Sequence, residues 1–187
     1  MVFLGRLEHR KGSLDLLNAI PSTLRAVENA RFIFIGKDRA HCPGGRTHEQ
    51  YVMEEFPSSI RDRIEFAGSL PNDQVDLALQ KADLFVAPSL YESFGYIFVE
   101  AMRWGTPSIG TKAGGIPEII QDDVTGVLVD PGQPEQIAQA MIQLLQNDER
   151  RLRIGEAGRR HVEGKFDWSQ MAKRAEDLYT RTMGVKS

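Results

Sequence analysis

Six short apolar runs recur along this chain, at residues 1–4, 32–35, 64–67, 84–87, 108–110 and 127–129, each ended by glycine, proline or charge. Apart from Glu65 in the third, they do not alternate apolar with charged residues, so they offer little face to water. Runs of that kind suit strands buried on both sides, as in a parallel sheet. Between them lie helical patterns. Ser13 can cap a helix running through Leu14, Leu17 and Ile20. Pro21 lacks an N–H and clashes one turn back, so it is expected to kink or restart that helix. Residues 52–56, 76–81, 96–104 and 137–145 give further helices. Strand and helix in alternation predict an α/β fold: a Rossmann-like open parallel sheet of about six strands with helices on both faces. No strand is predicted after Asp130, where residues 134–147, 149–164 and 168–183 read as extra C-terminal helices. The 187 residues correspond to about one domain of roughly 150 residues, so 1–187 is read as a single domain. The stretch 37–46, with Cys42-Pro43-Gly44-Gly45, is the predicted mobile loop.

Composition removes several function classes. The net charge is −3, which argues against nucleic-acid binding through bulk charge. Residues 149–187 carry 10 basic against 6 acidic side chains, and residues 1–148 carry 13 against 20. A basic tail of this kind fits a solvated helix face or an anionic partner. A single cysteine, Cys42, allows no internal disulfide and fits a reducing compartment. No apolar run reaches the roughly 18 residues of a membrane span, and no signal-like leader is visible. The expected location is therefore cytoplasmic. Met1 abuts a core strand, where chains rarely begin, so an excised domain is expected, its natural N-terminal part removed.

In open parallel sheets, ligands bind beyond the C-terminal ends of the strands, where the strand order switches. After the first strand comes Gly5-Arg6-Leu7-Glu8-His9-Arg10-Lys11-Gly12-Ser13. Gly5 permits an unusual turn, and Arg6 and Lys11 flank a loop that runs into a helix N-terminus, where free N–H groups favour anions. A pyrophosphate clamp and a loop of solvated charges both fit. The spacing is neither G-x-G-x-x-G nor Gly-x4-Gly-Lys-Ser/Thr, which counts against dehydrogenases and P-loop ATPases. After the fourth strand, Glu92 precedes a helix and Glu100 lies within it. Eight residues of helix span at most about 12 Å, too far for two carboxylates to share a scissile bond but suited to two ends of an elongated ligand. The amides of Phe94, Gly95 and Tyr96 lie between them. After the fifth strand, Gly114-Gly115 fits a tight turn or an amide nest. No His/Cys/Asp/Glu cluster has metal-ligand spacing.

Together these blocks resemble the C-terminal, donor-binding domain of retaining glycosyltransferases of family four, which form one half of the two-domain GT-B fold. The matching residues are Gly5-Arg6-Leu7-Glu8 through Lys11-Gly12; Pro88-Ser89, Glu92-Ser93-Phe94-Gly95 and Glu100-Ala101-Met102; Gly105-Thr106-Pro107; and Gly114-Gly115-Ile116-Pro117-Glu118 with Thr125-Gly126-Val127-Leu128-Val129. The resemblance implies that Arg6 and Lys11 hold a donor diphosphate, Glu92 meets the sugar hydroxyls and Glu100 the ribose diol. It places Gly5, Ser93, Phe94, Gly95 and Tyr96 around sugar and phosphate, and Gly68-Ser69-Leu70 along the base. It implies no metal or other cofactor, with UDP-glucose the favoured donor because UDP and glucose are common in the family. The expected partners are that nucleotide sugar, a missing N-terminal acceptor domain and, in the full-length protein, a membrane surface or a polysaccharide or lipid-linked acceptor; nucleic acid is not expected. In the family the last helix, here with Trp168, Met171, Leu178 and Tyr179, often crosses to that partner domain; in this chain it is expected to dock on its own domain, pack on a neighbour or stay exposed, where an apolar stripe favours self-association. Where the family often continues with Gly-Asp-Gly after the second strand, this chain has Gly36-Lys37-Asp38. A non-catalytic nucleotide-sugar binding module, or a related GT-B enzyme such as an epimerase or sucrose-type synthase, are the alternative readings.

Overall fold

The structure, a computed structural model, describes residues 1–166 and Glu176. All six predicted strands form: β1 Val2–Leu4, β2 Phe32–Ile35, β3 Ile64–Gly68, β4 Phe85–Val86, β5 Ser108–Thr111 and β6 Val127–Val129. They make one parallel sheet in the order β3-β2-β1-β4-β5-β6. The helices are α1 Ser13–Ala26, α2 His48–Glu55, α3 Ser58–Arg61, α4 Asn72–Lys81, α5 Tyr96–Arg103, α6 Ile116–Ile119, α7 Pro134–Leu145 and α8 Asp148–Lys165.

Strand side chains alternate between two cores because successive residues point to opposite faces. Phe3, Phe34 and Val86 pack with Leu16, Leu17 and Ile20 of α1 and with Ile137, Met141 and Leu144 of α7. Val2, Ile35 and Phe85 pack on the other face with Leu79 of α4, Phe98 and Met102 of α5, Ile116 and Ile119 of α6, and Val162 of α8. The double burial inferred from the apolar runs therefore holds for the inner strands. The edge strand β3 is only half covered, as a strand with one neighbour should be.

Two local expectations change. Pro21 does not restart α1, which runs unbroken from Ser13 to Ala26. Buried Leu16, Leu17, Ala19, Ile20 and Thr23 fasten the helix to the core on both sides of the proline, and that packing overrides the lost bond. The helix predicted at 52–56 begins earlier, at His48, under a capping box in which Thr47 and Gln50 exchange bonds. The stretch 37–46 is largely exposed, as a loop should be, but carries local structure. Cys42 is buried, its backbone pairs with Arg46, and the Arg46 side chain donates to the Pro43 carbonyl at 2.8 Å. Burial, with the Asp38 charge nearby, pushes the Cys42 thiol up to about 11, so it stays protonated at neutral pH. The helix predicted at 168–183, with its apolar stripe, lies outside the described residues.

Phe34 tests the core. It is 1% exposed and packs between the rings of Phe3 and Phe66, at 5.5 and 5.2 Å. Phe34→Ala should cost about 3–5 kcal/mol of unfolding free energy, read from denaturant titration. A cost below about 1 kcal/mol would mean that this layer is not close-packed.

Candidate functional site

The strand order reverses beside β1. The chain goes outward through β2 and β3, then returns to place β4 on the other side of β1. The loop after β1 leads to α1 on one face, and the loop after β4 leads to α5 on the other. Diverging loops leave a crevice between them. Here the two loops also touch. Leu90 N–H donates to the Arg10 carbonyl at 2.9 Å. Gly12 has φ +64°, and a Cβ there would meet the Pro88 oxygen at 1.9 Å, so only glycine allows this approach.

A chain of alternating charge crosses the contact. Arg6 Nη2 lies 3.2 Å from Glu8 Oε1, and Arg10 Nη2 lies 3.3 Å from the same oxygen. Arg10 Nη1 reaches Glu92 Oε2 at 4.0 Å and donates to the Tyr91 carbonyl at 3.2 Å. Lys11 Nζ bonds Glu92 Oε2 directly, with both side chains 13% exposed. Arg6, by contrast, is half exposed. Predicted residues Arg6, Lys11 and Glu92 are thus brought into one network. Glu8 and Arg10, which join them, stood in the same charged run but the alternation of sign was not read as a linkage.

The Glu92 loop is shaped from below by the loop after β5. Gly115 N–H donates to the Glu92 carbonyl at 2.8 Å. Gly114 has φ +56°, and a Cβ there would lie 2.0 Å from the Glu92 oxygen. Of the two options for Gly114-Gly115, turn or anion nest, the structure shows a turn, with the Gly115 amide already bonded. Gly95, with φ +91°, opens α5, and a Cβ there would press on Phe98 at 3.0 Å. The first amides of a helix have no intrahelical partner. The side chains of Phe94 and Tyr96 turn elsewhere. Phe94 packs edge-on against Phe166 at 5.8 Å, and Tyr96 lines a groove of about 370 Å³ with Trp104 and Val162. Ser93 is exposed.

Gly5, Gly36 and Gly68 end the first three strands in a row. Gly5 N–H donates to Ile35 O, and Gly36 N–H to Gly68 O at 2.7 Å; a Cβ on Gly36 would meet Gly5 O at 1.9 Å. Gly68 and Ser69 open into a cavity of about 410 Å³ shared with Leu7, Gly36, Lys37 and Asp38. Leu70 instead packs toward the α4–α5 core. Glu100, on α5, takes no part in the charge network. Burial pushes its carboxyl above the ordinary range, Asp76 adds to that, and Arg103 opposes it.

Residues 1–161 match the family model of glycosyl transferases group 1. The chain is 34% identical over 183 residues to the D-inositol 3-phosphate glycosyltransferase of Corynebacterium diphtheriae, covering 96% of this chain and 42% of that protein. It is 30% identical over 185 residues to a GDP-mannose-dependent alpha-(1-6)-phosphatidylinositol monomannoside mannosyltransferase of Mycobacterium tuberculosis, covering 95% and 46%. The chain therefore spans less than half the length of these relatives. Among solved structures, the sucrose-phosphate synthase of Thermosynechococcus elongatus superposes with a TM-score of 0.82 at 28% identity, over 99% of this chain and 45% of that one.

A carboxyl whose folded pKa is raised subtracts stability above its unfolded value, and the penalty fades as pH falls through that value. Glu100→Gln should therefore stabilise the fold at pH 7, and the gain should shrink toward about pH 4, where a free glutamate protonates. Urea unfolding at the two pH values measures this. A loss of stability at pH 7 that fades on acidification would mean that Glu100 is held by a cation instead.

Proposed function

The chain belongs to the family of glycosyl transferases group 1, and from that premise we propose that it is the donor-binding half of a retaining hexosyltransferase. The carrying observation is the Lys11–Glu92 pair with Arg6 on the same rim, set where the loops after β1 and β4 diverge.

Transfer breaks the bond between the sugar C1 and the diphosphate oxygen. The sugar becomes oxocarbenium-like, and negative charge grows on the leaving diphosphate. Groups fixed in advance where that charge appears lower the barrier most. Lys11 is fixed by Glu92, and Arg6 is free enough to fold onto the phosphates. The opening amides of α5, around Phe94, Gly95 and Tyr96, add a third source of positive potential. Glu92 meets the sugar hydroxyls with its remaining acceptor capacity. The acceptor hydroxyl adds to C1 on the face the diphosphate leaves, and its proton passes to a departing phosphate oxygen, so this half supplies no general base. Two side-chain cations do the work of a divalent ion, and we assign no metal or other cofactor.

Glu100 takes the ribose diol, which needs a charged acceptor. A carboxylate kept half-buried against its own stability fits a binding role better than a structural one. The base enters the cavity at Gly68 and Ser69, where backbone groups choose it. We assign UDP with glucose as the donor. GDP-mannose is the competing donor, since one relative is named for it. The acceptor sits on an N-terminal domain facing the crevice. The relatives' names include a phosphatidylinositol mannoside, which suits a cytoplasmic enzyme working at a membrane surface. Among the described residues no helix is long and apolar enough to cross a membrane.

Calorimetric titration of UDP and GDP into the wild-type chain, Arg6→Ala and Lys11→Ala tests the clamp. Each substitution should weaken the bound nucleotide at least tenfold, and in the full-length enzyme slow transfer by about two orders of magnitude, the usual effect of losing one such donor. Equal affinities across the three proteins would remove the basis of the assignment.

A further inference from the structure

A buried polar chain links the loop after β2 to the start of α1, and the chemistry above does not use it. Asp38 Oδ2 accepts from the His48 backbone N–H at 2.6 Å, and Asp38 Oδ1 lies 3.0 Å from His48 Nδ1. The other ring nitrogen, Nε2, lies 2.7 Å from Ser13 Oγ. Ser13 Oγ is in turn 3.2 Å from the Glu8 carbonyl oxygen, which also accepts from Lys11 N–H at 3.0 Å. Burial pushes the Asp38 carboxyl up, but the bonds from Ala40 and His48 outweigh it and leave the group below its ordinary value. An ionised Asp38 accepts from Nδ1–H, so Nε2 accepts the Ser13 hydroxyl proton, and the Glu8 carbonyl keeps Lys11 N–H as its donor.

The sequence Ser13–His48–Asp38 has the composition of a hydrolytic triad, yet it cannot act as one. Ser13 is 0% and His48 1% exposed, so no substrate reaches the hydroxyl. What the chain does is mechanical. The loop carrying the cations is tied at its near end by Leu7, whose N–H donates to Lys37 O at 3.0 Å and whose carbonyl accepts from Arg39 N–H at 3.1 Å. It is tied at its far end by Ser13. Arg6 adjoins the first tie, Lys11 lies close to the second, and Asp38 stands behind both.

We propose that His48 is a positioning residue for the donor site, a strut that holds the segment from Glu8 to Ser13 against the loop after β2 and so fixes where Lys11 presents its charge. This rests on the donor-site reading given above. A satisfied buried polar network rigidifies the backbone it joins, and a misplaced charge loses its effect on the leaving group. At its Ser13 end the strut acts on the phosphate end of the ligand; its Asp38 end also lines the cavity at Gly68 and Ser69, so only a change at Ser13 separates the two.

The test uses His48→Ala and, as a smaller change at the other end of the bond, Ser13→Ala. Native-state amide exchange should speed up about tenfold at Lys11 and Gly12 in both variants, with Phe3 and Phe34 in the sheet unchanged. UDP and GDP should bind about tenfold more weakly to both variants, while uridine and guanosine, followed by NMR, bind to Ser13→Ala, which keeps the His48–Asp38 bonds, as to wild type. Unchanged exchange at Lys11 and Gly12 overturns the proposal. So does an equal loss for nucleoside and diphosphate in Ser13→Ala, which marks a general weakening of the fold. A wild-type chain that binds neither UDP nor GDP overturns the donor-site reading, and the exchange result then decides the strut by itself.

Discussion

The ion pair between Lys11 and Glu92 joins two loops that leave the sheet toward opposite faces. Each partner is largely withdrawn from water, where an isolated charge is costly and a matched pair holds only if its surroundings hold it. Much of the architecture around it has that effect. Gly12 lets the first loop lie against Pro88, and Gly114 and Gly115 let the third loop lie against Glu92 and Ser93. Arg10 bridges the two carboxylates, Glu8 and Glu92. The pair is thus a product of backbone contact as much as of charge. An incoming diphosphate would meet cations already in place.

The sheet was legible because it is written in adjacent residues. Burial on both faces leaves a run of apolar side chains, and residues 32–35 or 84–87 need no distant information to be recognised. No restart occurs at Pro21 because the surrounding helix is clamped by buried neighbours on either side. The helices at Ser58–Arg61 and Ile116–Ile119 are about one turn long and show no period. Arg6, Lys11, Glu92 and Glu100 were legible as residue types in a strand-end context, whereas their partners were not. That Lys11 would meet Glu92, 81 residues on, follows from the strand order. That His48 would stand between Asp38 and Ser13 follows from how α2 packs, and no spacing in the chain encodes it.

The recurring motif residues divide by the end of the sheet on which they fall. Those after strands β1 and β4 build the crevice. Gly105-Thr106-Pro107 precedes β5 and so lies at the opposite edge. There Thr106 donates to the Leu79 carbonyl at 2.7 Å, and Gly155 of α8 approaches so closely that a Cβ would sit 2.2 Å from the Gly105 oxygen. Thr125 similarly caps a turn by accepting from Gln121 N–H at 2.9 Å. A family signature therefore mixes two kinds of residue, a charged, paired set at one end of the strands and a packing set at the other.

The contact of Gly12 with Pro88 sets the gap between the two rims at the thickness of bare main chain. No side-chain exchange at that point can widen the mouth, since a larger residue has nowhere to go and a smaller one does not exist. A wider cleft would need a longer rim or a reshaped floor near Gly68. The part of the cleft at that contact is in that sense the least evolvable, and the part near Gly68 is the most open to change.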